Sequence, residues 1–208
     1  MMSVTRSRAR SARVGGALPA VLSVVVSAVL LVAAGCDSGD DIGGKDDDSP
    51  SSSHGTDAPS VETVTTIEHG GDGVTPDRQT RMVERVTAVV DAWFDDAFLG
   101  EFPRSDYSSA FASFTKDAAA DAQRDLELVS SSGIADRIES ATATNRRVRL
   151  DVFAPDGHPR GVTANFVLDF DTAGDLEEHL RVHGALYLVR TKGEWKVFGY
   201  DVDEAAPL

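Results

Sequence analysis

The residues best suited to acid–base chemistry are one histidine and one aspartate near the end of the chain. The connection Thr191-Lys192-Gly193 separates two stretches of alternating apolar residues and predicts a tight β-hairpin. Taken as a three-residue loop, it pairs Arg190 with Glu194, and His183 then faces Asp201. An aspartate beside a histidine favours the charged imidazolium or orients the neutral ring as a base.

This pair has two interpretations. His183 and Asp201 could form a general-base dyad under Trp93 and Tyr187, with Trp195 on the same hairpin face as Tyr187. The three aromatic residues would then line an apolar ligand pocket. The alternative is a cross-strand ion pair of small energetic value, which we favour because many such pairs are structural. A register change of one residue would send His183 and Asp201 to opposite faces of the sheet.

An acidic stretch near residue 170 offers a weak calcium motif. Asp169, Asp171 and Asp175 supply carboxylates at spacings found in calcium-binding loops. Ala173 and Leu180 occupy two positions where that loop needs oxygen ligands, the second of them a bidentate glutamate. We therefore expect an ordinary acidic loop.

Other catalytic signatures are absent from the sequence. It contains no nucleophile elbow, phosphate-binding loop, zinc-protease helix, paired-cysteine motif or dinucleotide fingerprint. The five histidines are scattered along the chain. We expect no cofactor and no metal.

Cys36, the single cysteine, ends the run Leu30-Leu31-Val32-Ala33-Ala34-Gly35-Cys36, and the residues before it include arginines but no acid. This order is typical of a secretory signal. The ending resembles the lipobox of bacterial lipoproteins, although Ala33 stands where leucine is usual. The resemblance implies a signal peptide over residues 1–35 and a lipid, detectable as palmitate, that anchors Cys36 to the extracytoplasmic face of the cell membrane. An unmodified signal peptide or a signal anchor is the alternative, but a spanning helix needs about 20 apolar residues and Pro19 interrupts this stretch.

Composition limits the partners. The chain has 34 acidic and 20 basic residues and a formal charge of −14, which argues against nucleic acid and against lying flat on an anionic membrane. Residues 36–75 are rich in Ser, Gly and Asp, and they predict a disordered acidic tether. Within them, residues 61–67 could form a short strand.

The elements that must position these residues begin at Thr75. Thr75, Pro76 and Asp77 are typical of a helix start, and apolar residues then recur every three or four positions until Gly100. Two shorter helices are predicted, over residues 105–114 and 115–129.

After Gly133 the apolar residues recur at every second position. Four alternating stretches lie near residues 147–152, 162–170, 182–190 and 195–202. Helices followed by strands predict an α+β fold, in which N-terminal helices pack on a curved antiparallel sheet of about four strands. Because no helix separates these four strands, we expect no parallel pairing.

The long helix and the terminal hairpin resemble the NTF2-like superfamily over roughly residues 76–204. The last strand of the hairpin begins with Gly193-Glu194-Trp195-Lys196-Val197, a pattern common in that superfamily. The resemblance implies a cone-shaped domain with a pocket at its open end. Members include isomerases and cyclases, and many others only bind ligands or dimerise, so the fold does not select the function.

We expect a lipid-anchored binding or interaction module without catalysis. Its partner would be an envelope protein or a small apolar ligand, and a homodimer through the sheet is a further expectation. The alternative is a cofactor-free isomerase or cyclase that uses His183 and Asp201 on a small apolar substrate.

Overall fold

The computed structural model describes residues 61–208. Cys36, the predicted signal peptide and most of the predicted tether lie outside the described residues. The two helices are α1 (Pro76–Ala97) and α2 (Lys116–Arg124). The strands are β1 (Val64–His69), β2 (Gly100–Glu101), β3 (Ile138–Phe153), β4 (Gly161–Gly174), β5 (His179–Thr191), β6 (Glu194–Val202) and β7 (Ala206–Pro207). Among these residues, no helix has the length and apolar character needed to cross a membrane.

The helix α1 forms as its sequence predicts. Thr75 is extended at the N-cap and Pro76 occupies the first turn, where a missing N–H costs nothing. One face of the helix is buried against the sheet from Met82 to Ala97. Trp93 is fully buried and makes edge-on contacts with Phe98 and Phe166 at ring-centre distances of 5.3 and 5.1 Å.

The next two predicted helices are shorter than their sequence suggests. A single 3₁₀ turn, Ser108–Phe111, replaces the predicted helix over residues 105–114, although its apolar residues are buried as expected. The helix α2 is capped by Thr115, whose hydroxyl accepts a hydrogen bond from the Ala118 N–H. It ends at Arg124, short of residue 129.

The sheet contains all four predicted strands, and it is larger and more varied than predicted. Its order is β1-β3-β4-β5-β6, with β2 paired to β3 and β7 paired to β5. The strands β3 to β6 are antiparallel neighbours, and the sheet is curved without closing. The fold is therefore α+β with a mixed sheet of about seven strands.

The expectation of no parallel pairing is wrong at the sheet edge. The strand β1 runs parallel to β3, and α1 lies between the two in sequence, so it can make the crossover that parallel strands require. Because β1 falls inside residues 36–75, ordered structure begins before the predicted domain boundary at residue 76. The alternation of Thr65 and Ile67 toward α1 explains why β1 joins the sheet.

Candidate functional site

The register of the β5–β6 hairpin differs from the predicted one. Lys192 and Gly193 both have positive φ angles of 52° and 92°, and they form a two-residue turn that pairs Thr191 with Glu194. A bulge then inserts Phe198 as an extra residue between the Leu188 and Tyr187 pairings.

This register separates the predicted dyad. Asp201 pairs with Ala185, and the His183 Nδ1 lies 3.0 Å from an Asp203 carboxylate oxygen instead. Both of those side chains are more than half exposed, at 52% and 69%. The prediction that His183 faces Asp201 is therefore wrong, because the turn is one residue shorter than assumed and the bulge shifts the strand again. The contact that does form is exposed to solvent.

The three predicted pocket aromatics also lie apart. Trp93 is in the core between α1 and the sheet, and Trp195 is buried on the same inner face as its strand neighbour Val197. Tyr187 lies on the outer face of the sheet, 6.3 Å from the exposed ring of Phe198. Because the two-residue turn pairs Trp195 with Arg190, Trp195 and Tyr187 lie on opposite faces of the hairpin, and the three rings line no common pocket.

The three aspartates of the calcium motif make no shared site in residues 61–208. The Asp169 carboxylate is buried and accepts hydrogen bonds from Arg181 at 2.6 and 2.9 Å and from the Asn145 amide at 3.1 Å. The Arg181 hydrogen bond lowers the pKa of Asp169, although burial opposes the effect. Asp171 pairs with His179, and Asp175 is exposed in the loop after β4.

A different set of residues forms the most distinctive concavity, at the N-terminal half of α1. Arg78, Arg81 and Arg85 are spaced by three and four residues, so they form one exposed stripe beside the buried Met82. Arg78 donates a hydrogen bond of 3.3 Å to the Gly157 carbonyl oxygen, which ties the helix to the turn between β3 and β4.

The opposite wall comes from that turn and from the hairpin. His158 and Pro159 follow the turn, and Arg190 lies directly opposite Trp195 across β5 and β6. Together with the helix stripe they enclose about 250 Å³. Met82, Pro159 and Trp195 are buried and make its apolar floor, while the charged groups stand around it. We call this concavity the arginine pocket.

The lining of the arginine pocket is cationic. Its lining contains four arginines and no carboxylate. Within residues 61–208, none of these arginines forms an ion pair. Other arginines of the domain do: Arg146 pairs with Asp95 at 2.5 Å, and Arg149 pairs with Glu68 at 3.4 Å. A cationic concavity in so acidic a chain is suited to bind an anion, since guanidinium groups form strong, directional bonds with anionic oxygens.

One group of described side chains has the composition of a metal site. Ligand atoms of Glu68, His69 and Asp151 lie within 4.8 Å of one another on the exposed face of the sheet. The Asp151 carboxylate accepts a hydrogen bond of 2.6 Å from the His69 ring and thereby raises the pKa of His69, and Glu68 contacts Arg149. These contacts account for the group as an exposed network of ion pairs.

Comparison with known proteins adds no assignment: no protein-family model matches the chain, and no curated protein matches it. Sequence reasoning missed the arginine pocket because it followed the apolar stripe of α1. The spacing of Arg78, Arg81 and Arg85 was the available signal, but the residues that complete the pocket come from distant parts of the chain.

Proposed function

We propose that this protein is a lipid-anchored, extracytoplasmic binding module that holds a small anionic ligand in the arginine pocket. The observation that carries the binding function is the convergence of four arginines on one concavity whose lining contains no carboxylate. None of the four forms an ion pair with another of residues 61–208. Like charges so placed repel one another, and an anionic ligand would relieve that repulsion. This ligand differs from the apolar one expected from the sequence.

The proposed anchor rests on the sequence around Cys36. Export and lipidation would place the domain just outside the membrane, and the acidic tether would hold it away from anionic lipid. Two acyl chains on the cysteine would suffice for stable attachment.

The proposed fold family is NTF2-like. Its support is the long helix α1 packed on a curved sheet, the four antiparallel strands β3 to β6 and the C-terminal hairpin. The parallel edge strand β1 is an addition to the predicted layout. A homodimer through the sheet stays a prediction.

We prefer binding to catalysis for a specific reason. The isomerase or cyclase alternative depends on His183 and Asp201 acting together, and the hairpin register places them in different pairs.

Metabolic labelling with palmitate tests the anchor. The native chain should take up label and fractionate with membranes, whereas Cys36→Ala should do neither. Label retained by Cys36→Ala, or a native protein that begins at Met1, would contradict the lipid anchor.

Thermal unfolding in phosphate tests the pocket. A ligand at one hundred times its Kd stabilises the folded state by about 2.7 kcal/mol, and thus raises Tm by roughly 8 °C in a domain of this size. Arg81→Gln combined with Arg85→Gln should abolish most of the rise, and Arg147→Gln, an exposed arginine on β3, should not. Sodium chloride at equal ionic strength serves as the salt control. Equal stabilisation of the double variant and the native chain would refute anion binding at this site.

A further inference from the structure

We infer that the ligand of the arginine pocket carries a phosphate monoester, with two negative charges and a small apolar part. This inference rests on the proposed function, and it names the class of ligand for the same site. It follows from the charge, the geometry and the floor of the pocket.

Charge matching favours a dianion. The pocket offers four guanidinium groups on two walls, three from α1 and one from β5. A carboxylate brings one charge and two oxygens, so it would leave most of these groups unpaired. A phosphate monoester brings nearly two charges at neutral pH and three terminal oxygens. Guanidinium groups from both walls can then bond to different oxygens of one ligand.

The size and floor of the pocket limit the rest of the ligand. A volume of about 250 Å³ lies below the roughly 300–1,000 Å³ typical of small-molecule sites. The buried floor of Met82, Pro159 and Trp195 offers an apolar surface and no charge. A short apolar group next to the phosphate would pack there.

Two sources could supply this chemistry to a domain outside the membrane. One is a soluble phosphate ester, and the other is a membrane lipid whose head group is a phosphate monoester, as in phosphatidic acid. Both would present the same dianion to the arginines, and only the second would add long apolar chains.

Titration calorimetry of the full chain with phenyl phosphate and phenyl sulfate tests the inference. The two probes share a ring and a tetrahedral anion, but the sulfate ester carries one charge. Phenyl phosphate should bind at least tenfold more tightly. Arg81→Gln and Arg85→Gln should each weaken its binding by about 10- to 100-fold, as expected for a lost charge-assisted hydrogen bond. Arg147→Gln should leave the affinity within twofold.

The outcomes separate the inference from the proposed function. Equal affinities for the two probes, both reduced in Arg81→Gln, would overturn the phosphate assignment and keep anion binding. Binding of neither probe, or binding unchanged in both pocket variants, would overturn the proposed function itself.

A second pair of probes identifies the source. Short-chain phosphatidic acid binding at least tenfold more tightly than glycerol 3-phosphate would indicate a lipid ligand. Equal binding would indicate a soluble ester.

Discussion

Replacing Asp169 with asparagine should destabilise the fold by about 2 kcal/mol. Three N–H donors, two from Arg181 and one from Asn145, converge on the two carboxylate oxygens at 2.6, 2.9 and 3.1 Å. An amide would keep the volume but lose the charge, and it would turn an NH₂ group toward one of these donors. Hydrogen bonds to charged groups contribute about 1.5–3 kcal/mol. Breaking a fully buried ion pair costs about 3–5 kcal/mol, but the Arg181 side chain is 41% exposed and water can partly replace its partner.

The loss should be measured by urea unfolding of the full chain, followed by the fluorescence of the buried residues Trp93 and Trp195. Thermal unfolding should show Tm lower by roughly 6 °C, at about 3 °C per kcal/mol for a domain of this size. The matched control is Asp171→Asn, because this neighbouring carboxylate and its partner His179 are both about half exposed. It should change stability by less than about 0.5 kcal/mol.

The pH dependence gives an independent check. The Arg181 hydrogen bond lowers the pKa of Asp169 below its ordinary value of 3.8, against the effect of burial. A lowered carboxylate pKa stabilises the fold above the unfolded-state pKa, and that contribution is lost as pH falls through the folded-state pKa. The difference between native chain and Asp169→Asn should therefore be constant near neutrality and shrink below about pH 4. A variant as stable as the native chain at pH 7, or a control that costs as much, would refute the reasoning.

Three further substitutions probe the backbone and the core. Gly184→Ala should cost about 2–3 kcal/mol in urea unfolding, because Gly184 has a φ of 153° and an added Cβ would overlap the backbone of the facing strand; Gly199→Ala, where the nearest atom is at 3.5 Å, should cost under about 1 kcal/mol. Tyr200→Phe should cost about 1 kcal/mol, since it removes the 2.7 Å hydrogen bond to Asp125. Burial, and next the hydrogen bond to Asp125, raise the pKa of Tyr200. The stability contributed by this hydrogen bond should therefore persist below about pH 10 and disappear as pH rises through the folded-state pKa. Equal stability of Tyr200→Phe and the native chain at pH 7 would contradict the hydrogen bond. Trp93→Ala should cost about 3–5 kcal/mol by the same unfolding assay, and a loss under 1 kcal/mol would show that the ring is not packed in the core.

Local pattern was enough to predict the helix α1 and the strands β3 to β6. The spacing of their apolar residues, 3.6 residues in the helix and two in the strands, indicates which side chains are buried. This spacing can be recognised within a short segment of the sequence. The start of α1 at Pro76 was predictable for a similar reason, since a cap depends on a few consecutive residues. The Cys36 anchor is likewise a prediction from local sequence.

Pairing was harder to predict than periodicity. The sequence Thr191-Lys192-Gly193 is compatible with a turn of two or of three residues. A difference of one residue in the length of the turn changes which side chains face each other across the hairpin. The bulge at Phe198 has no clear signature in the sequence. The parallel pairing of β1 with β3 was missed because it depends on a crossover through α1, which the local sequence of either strand does not indicate.

The sequence by itself determined the helix α1 and the strands β3 to β6, because burial of apolar side chains at each period is a local requirement. Only the tertiary structure decided that His183 faces Asp203, that Asp169 forms an ion pair with Arg181, and that arginines far apart in the chain line one concavity. Those outcomes depend on strand register and on the docking of α1 against the sheet, and both are set by contacts between residues distant in sequence.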